Sequence, residues 1–177
     1  LGKGIIAFNK KNKNYFQIGD FVNISALFWD DQTLYVAPYG GRLFCYIDGN
    51  ISPANINIPS KNPVTGILRH KDALFFTSYG AGVYRYDLTN KTLKNFSKEN
   101  GHFNESYFLC VSQRNDILYC GSLGNGVYSY DVNNDKWERF FISDLYMGTD
   151  IRKIVFNDNY MFIATLGEGV LRRIIVE

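Results

Sequence analysis

The residues with the clearest potential for catalysis are two histidines. His70 lies in a polar turn at 70–72, where a solvated side chain is expected, and His102 lies in the loop at 101–105. The chain has no His-Glu-x-x-His zinc motif, no Gly-x-Ser-x-Gly nucleophile turn and no Walker phosphate loop. The sequence therefore predicts a protein that is not an enzyme and has no catalytic residue.

One short run resembles a calcium-binding loop. Asp131, Asn133 and Asp135 place oxygen-bearing side chains at alternate positions, as calcium loops do. Lys136 stands where such a loop needs glycine, and Ile142 stands where it needs a bidentate glutamate. We therefore interpret the run as a turn rich in Asn and Asp, and we predict no metal and no cofactor.

Composition argues against several other classes of protein. The 177 residues include 19 Lys+Arg and 17 Asp+Glu, so the net charge of +2 predicts no nucleic-acid surface. No apolar run approaches the roughly 20 residues of a membrane-spanning helix, so no membrane contact is expected. Cys45, Cys110 and Cys120 are an odd set without metal-ligand spacing, and we expect them to be buried thiols.

Any binding residues must be positioned by a repeat that covers the whole chain. Each full copy has an apolar-aromatic-apolar run, then a marker glycine, then an apolar segment that reads Val-Tyr-x-Tyr in the two clearest copies. The four full copies begin at Leu34, Leu74, Leu118 and Met161. Consecutive marker glycines are 38 to 44 residues apart, and they are Gly2, Gly40, Gly80, Gly124 and Gly167. The residue 16 positions after each of the first four markers is apolar, which aligns Ile56 with Phe96.

Each repeat predicts four short antiparallel strands separated by turn residues, with almost no helix signal. Four strands in about 40 to 45 residues are typical of a β-propeller blade. The sequence thus predicts one all-β domain with about four blades, forming a section of a larger propeller. The expected limits are a partial blade at 1–18, blades at about 19–58, 59–98 and 99–142, and a partial blade at 143–177.

Loop lengths indicate where a ligand would bind. The connection from a fourth strand to the next blade varies most in length, and in a propeller it lies on the same face as the Gly-x-Gly hairpins. The ligand-binding candidates from the hairpins are Tyr39, Arg42, Tyr79, Asn125 and Glu168. The candidates from the long loops are His102, Asn104, Tyr107, Tyr146 and Asp150.

These residue types suit a sugar, because an aromatic ring can stack on it while amides and carboxylates bind its hydroxyls. An alternative applies to two of the tyrosines. Tyr39 and Tyr79 align with Leu123 and Leu166 of the later copies, so both could instead pack between blades.

The copies at 74–87 and 118–131 resemble the two-component regulator propeller repeat, with its x-Gly-x-Gly turn and its Val-Tyr-x-Tyr-Asp strand. The first full copy departs from that pattern, since Arg42 replaces the second glycine and Ile47 replaces the closing Asp. Kelch and WD-repeat propellers fit less well.

Propeller lyases that use a histidine and a metal also exist, which leaves His102 as the alternative for a catalytic role.

The resemblance implies an extracytoplasmic, periplasmic or secreted, input domain of a hybrid histidine kinase. Such a domain recognises a ligand, often an oligosaccharide, and takes part in signal transduction. The expected partners are therefore a small ligand such as an oligosaccharide, and remaining blades or a partner chain that complete the propeller. The alternative is a propeller scaffold for protein–protein contact in a surface or secretion complex.

Overall fold

The computed structural model describes residues 4–40, 42–59, 61–140 and 149–175, which form strands and turns without a helix. The strands are β1 (Ile5–Phe8), β2 (Tyr15–Ile18), β3 (Ile24–Asp30), β4 (Thr33–Pro38), β5 (Phe44–Ile47), β6 (Asn50–Pro53), β7 (Val64–His70), β8 (Ala73–Ser78), β9 (Val83–Asp87), β10 (Leu93–Phe96), β11 (Phe108–Arg114), β12 (Ile117–Ser122), β13 (Val127–Asp131), β14 (Lys136–Phe140), β15 (Ile151–Phe156), β16 (Tyr160–Thr165) and β17 (Val170–Ile174). A membrane-crossing helix is accordingly not found in the described ranges.

The strands form five antiparallel sheets in which sequence neighbours are always paired. We name the sheets S1 (β1–β2), S2 (β3–β6), S3 (β7–β10), S4 (β11–β14) and S5 (β15–β17). The first strands of successive sheets adjoin, because β7 contacts β3 and β11, and β11 contacts β15. Sequential four-stranded sheets with their first strands together are the arrangement of propeller blades. The predicted all-β propeller is confirmed, while the residue limits assigned to each blade stay a prediction.

The hydrophobic core lies between consecutive sheets. Strand alternation gives each sheet two apolar faces, one toward the preceding sheet and one toward the next. Phe75 and Val83 of S3 pack toward S4, where they meet Leu118 and Tyr130, and all four are fully buried. Similar clusters fill the space between S2 and S3 and between S4 and S5.

The outer face of S5 is exposed, although the repeat gives it the same apolar residues. Val83 and Val127, at equivalent positions in S3 and S4, are 0% exposed, whereas Val170 of S5 is 68% exposed. Val155 and Ile174 are also exposed. This face therefore has the composition of an inter-blade surface without a neighbouring sheet among the described residues.

The fourth strand of S2 lies earlier in the sequence than the repeat spacing predicts. Spacing aligns Ile56 with Phe96, yet β6 ends before Ile56 is reached. The cause is the two-residue turn at Asp48 and Gly49, whose φ angles of 49° and 86° are those of a tight type I′ hairpin. The other blades use longer turns here, so Ile56, which the spacing aligns with the strand residue Phe96, lies outside β6.

The turns that join the first and second strands lie at the other end of the sheets from the Gly-x-Gly hairpins. His70, expected to be solvated, is only 7% exposed, and its Nδ1 lies 3.2 Å from Gln113 Oε1. Its Nε2 makes no hydrogen bond but lies 3.0 Å from Asp116 Oδ1. Lys71 Nζ donates to the same carboxylate at 2.7 Å. The end of S3 is thus held against the end of S4 by side chains that surround one aspartate.

This cluster predicts a pH-dependent contribution to stability. The hydrogen bonds from Lys71 and Asn133 lower the pKa of Asp116 to about 2. Because its pKa is lower in the folded chain than in the unfolded one, Asp116 stabilises the fold above about pH 4, and this contribution is lost as the pH falls toward 2. We expect Asp116→Asn to melt at a lower temperature than the wild type at pH 6, and the difference to vanish near pH 2.

Melting curves recorded by circular dichroism from pH 2 to pH 7 measure this difference. Asp31→Asn is the matched control, since Asp31 is exposed and has no ion pair among the described residues. A destabilisation by Asp116→Asn that is as large at pH 2 as at pH 6 would contradict the assignment.

Candidate ligand-binding face

The hairpins between second and third strands lie beside the segments that enter the same sheets. We call the surface that they form the loop face: the hairpin residues 39–40, 42, 79–82, 123–126 and 166–169, with the entering segments at 19–23, 61–63, 97–107 and 149–150. The backbone N–H groups of Tyr39, Tyr79, Leu123 and Leu166 donate to carbonyl oxygens of Asn23, Pro63, Tyr107 and Asp150 at 2.8 to 3.0 Å. The repeat therefore brings hairpins and long loops together on one face.

Three of the four hairpins share a closing pair of hydrogen bonds. In S3, both the N–H and the hydroxyl of Ser78 donate to the carbonyl oxygen of Gly82, each at 3.0 Å. Ser122 with Gly126, and Thr165 with Gly169, repeat this pair in S4 and S5 at 2.8 to 2.9 Å. The second glycine is needed for backbone reasons, because its φ is 72° to 75° in all three copies.

Two tyrosines from neighbouring sheets form an exposed aromatic pair on this face. Tyr79 of the S3 hairpin and Tyr107, which enters S4, have ring centroids 4.8 Å apart at an angle of 63°. Their side chains stay 39% and 43% exposed. Gly80 N–H and Gly82 N–H both donate to the carbonyl oxygen of Ser106 at 3.0 Å, which fixes the Tyr107 segment against the hairpin.

Glu105 holds Tyr107 in place from the other side. One carboxylate oxygen accepts from the N–H groups of Ser106 and Tyr107 at 2.7 and 2.8 Å, and the other accepts from Asn125 Nδ2 at 2.7 Å. Asn125 was predicted from the sequence as a ligand contact, and in the structure its amide joins the S4 hairpin to this loop. Sequence reasoning missed Glu105, because a glutamate that binds its own following N–H groups has no distinctive local pattern.

The remaining candidates are distributed along the face. Tyr39 is 65% exposed, while Asn104 and Glu168 are exposed. His102 is exposed and its ring lies edge-on to Phe96 with centroids 5.1 Å apart. No hydrogen bond or ring contact joins His102 to Tyr79 or Tyr107 among the described residues.

Three further candidates have separate positions. The carbonyl oxygen of Asp150 accepts from Leu166 N–H, so Asp150 lies beside the S5 hairpin. Arg42 lines a cavity in S2, apart from the tyrosine pair. Tyr146 lies outside the described residues.

The run that resembles a calcium loop is a turn stabilised by its own side chain. Asp131 Oδ1 accepts from the N–H groups of Asn133 and Asn134 at 2.9 and 3.1 Å, and Oδ2 accepts from Asn134 Nδ2 at 2.7 Å. These hydrogen bonds lower the pKa of Asp131. The local structure is the Asx turn predicted from the sequence, and across the described ranges no three His, Cys, Asp or Glu side chains are grouped for a metal.

The cysteines differ in their surroundings. Cys110 and Cys120 are buried, and burial raises the pKa of Cys110 to about 11 and that of Cys120 well above its usual value. Cys45 is only half-buried, so the prediction of burial is wrong for this residue. Protonated buried thiols pack as small apolar groups, which is how Cys110 and Cys120 take part in the core.

The chain matches no family model and no curated protein, but its fold is similar to solved structures. The extracellular domain of BT4673 from B. thetaiotaomicron, described as a one-component system, has a TM-score of 0.75 and 17% identity over 97% of this chain. The extracellular domain of BT3049 from the same species, described as a hybrid two-component system, has a TM-score of 0.58 and 13% identity over 94% of this chain. The computationally designed protein Ika4 has a TM-score of 0.64 and 12% identity over 86% of this chain and 91% of its own.

At these identities the likeness is one of fold, and it agrees with the propeller architecture described above. The chain spans 24% of the BT4673 domain and 29% of the BT3049 domain. It therefore corresponds to about a quarter of each of these two domains.

Proposed function

We propose that this chain is a ligand-binding section of a sensor propeller, with an oligosaccharide as the ligand class and the loop face as the binding surface. The observation that carries the proposal is the exposed Tyr79–Tyr107 pair, which Glu105 and the S3 hairpin hold in a fixed orientation. Rigid, exposed aromatic rings are effective binding groups because they lose little conformational entropy when a ligand packs on them.

The chemistry around the pair suits a sugar. A pyranose ring presents C–H groups that pack on an aromatic face, and its hydroxyls need hydrogen-bond partners at the rim. The two tyrosine hydroxyls and the exposed Asn104 side chain supply such partners on the same face. Two of the similar structures are extracellular domains of signalling proteins, which supports an extracytoplasmic sensor as the biological setting.

The proposal predicts that Tyr107→Ala weakens oligosaccharide binding about ten-fold or more, which equals about 1.4 kcal/mol. Removing this ring leaves Tyr79 without its edge-to-face partner and takes away one of the two exposed rings of the pair. The measurement is a thermal-shift screen of the purified chain with a broad panel of oligosaccharides, followed by calorimetric titration of each hit. A ligand that binds only the folded state must raise the melting temperature.

Tyr15→Ala is the matched control, because Tyr15 is 72% exposed on S1 and its ring also contacts one neighbouring ring, that of Phe8. It should leave the affinity unchanged. The proposal is wrong if no oligosaccharide raises the melting temperature, or if Tyr107→Ala and the wild type bind every hit equally well.

A scaffold for protein–protein contact is the second candidate, because the exposed outer face of S5 can pack against a partner chain as well as against a further blade. Val170 there is 68% exposed at a position that is buried in S3 and S4. A scaffold would bind its partner through this apolar face, so its affinity for that partner would be insensitive to Tyr107→Ala.

A further inference from the structure

The hairpin of S2 differs from the other three at two linked positions. Where S3, S4 and S5 have a serine or threonine that donates to the second glycine, S2 has Pro38 and Arg42. Proline has neither a backbone N–H nor a hydroxyl, so Pro38 cannot form either bond of the closing pair. The S2 hairpin is therefore without the hydrogen bonds that close its three counterparts.

The strand pairing shows the effect of this loss. The β4–β5 ladder ends at Val36 opposite Phe44. The equivalent β8–β9 ladder continues for one more pair, to Thr77 opposite Val83, and the ladders in S4 and S5 do the same. The S2 hairpin thus separates one pair earlier, directly beside Arg42.

The segment that follows the fourth strand of S2 forms the second side of a cavity next to this hairpin. Because the turn at Asp48 and Gly49 is short, β6 ends at Pro53, and residues 54–58 run past the open hairpin as an irregular segment. A cavity of about 600 Å³ lies between the two. Its lining includes Arg42, Pro53, Asn55, Ile56, Asn57 and Ile58.

The lining combines one arginine with two side-chain amides. Arg42 has no carboxylate partner among the described residues, and its guanidinium carbon lies 5.5 Å from the centroid of the Phe44 ring. The side-chain amides of Asn55 and Asn57 are exposed and make no hydrogen bond within the described ranges. Apolar side chains, including the buried Ile58, form the rest of the lining.

We propose that this cavity, the Arg42 cavity, binds a small hydroxylated ligand that carries a carboxylate, such as a sugar acid. The guanidinium can bind both carboxylate oxygens at once, and the Asn55 and Asn57 amides can donate to and accept from hydroxyls. Pro53 and Ile56 give a ring face an apolar surface to pack on. The site lies in S2 and does not depend on the Tyr79–Tyr107 pair, so it stands whether or not that pair binds a glycan.

The test is an NMR titration of the isotope-labelled 177-residue chain with D-glucuronate, D-galacturonate and N-acetylneuraminate. Neutral glucose and galactose are the paired controls for the carboxylate. For at least one acid we expect amide shifts at residues 53–58 and an affinity at least ten-fold higher than for the neutral sugar. Arg42→Gln should weaken that binding at least ten-fold, whereas Arg42→Lys, which keeps the charge but loses the two-pronged geometry, should weaken it several-fold.

Two further variants show whether acid binding depends on this cavity alone. Arg152→Gln removes an exposed arginine from S5 and should leave the affinity unchanged, which controls for net charge. Tyr107→Ala should also leave acid binding unchanged, which separates this site from the loop-face pair. The proposal is overturned if none of the three acids shifts residues 53–58, or if Arg42→Gln binds as tightly as the wild type.

Discussion

Gly82→Ala is expected to lower the free energy of unfolding by about 3 kcal/mol or more. The φ of Gly82 is 75°, and an L-residue in this left-handed region costs about 1 to 2 kcal/mol. A Cβ at this position would also lie 2.1 Å from the carbonyl oxygen of Phe96 and 3.0 Å from Ser97 Cα. Both are backbone atoms, one in the last residue of β10 and one in the residue that follows it, so the clash can be relieved only by moving the S3 hairpin away from the end of β10.

Gly124→Ala is the matched control for this prediction. Gly124 has a similar φ of 83°, but an added Cβ would meet nothing within 4 Å. It should therefore cost only the conformational penalty, about 1 to 2 kcal/mol. Urea denaturation of both variants, followed by tryptophan fluorescence, measures the difference, and equal destabilisation would show that the close approach at Gly82 is not as described.

Phe75→Ala is expected to cost about 3 to 5 kcal/mol, the usual range for a fully buried phenylalanine. Phe75 is 0% exposed on the S3 face that packs toward S4, and its ring centroid lies 5.8 Å from that of Tyr130. Removing it leaves a cavity between two sheets whose backbones are fixed by strand pairing, so the space cannot close easily.

Phe162 occupies the same repeat position in S5, where it is only partly buried. Phe162→Ala should cost much less than Phe75→Ala, roughly 1 kcal/mol, because the ring already contacts water. The comparison is again by urea denaturation at equilibrium. Similar losses for the two variants would mean that the outer face of S5 is covered in solution, and the assignment of the core to the spaces between consecutive sheets would need revision.

The repeat made the fold predictable from sequence alone. Side chains alternate between the two faces of a strand, so the Val-Tyr-x-Tyr pattern places Val83 and Tyr84 on opposite faces of S3. The marker glycines indicated tight turns in which the backbone needs a positive φ, an angle that glycine adopts easily. Gly80 and Gly124 both have a positive φ in the structure. The architecture could therefore be predicted from the regular spacing of the repeat and from its turn residues.

The candidate site was less predictable, because its organisation depends on contacts between loops of variable length. Spacing selected Tyr79 and Tyr107 separately, but only the structure places their rings together. Glu105 was missed because its carboxylate accepts from the backbone N–H groups of the next two residues and from Asn125, 20 residues away. His70 was misjudged because its ring alone lies against Gln113 and Asp116 of the next sheet, while Lys71 and Asp72 of the same turn stay exposed.

S2 shows the same limit for a strand. The Asp48–Gly49 dipeptide is a strong signal for a two-residue hairpin. The repeat spacing instead aligned Ile56 with Phe96, which predicted the fourth strand of S2 too late in the sequence. In S2 the two-residue turn set the register of β5 against β6. The cavity beside Arg42 results from that short turn.

The central claim is that the loop face binds an oligosaccharide through the Tyr79–Tyr107 pair. The most direct measurement is NMR chemical-shift mapping of the labelled chain with each oligosaccharide found by the thermal-shift screen. We expect the perturbed amides to cluster at residues 79–82, 104–107 and 123–126. Perturbations confined to the opposite turns, such as 70–72 and 114–116, or to the exposed outer face of S5, would contradict this claim.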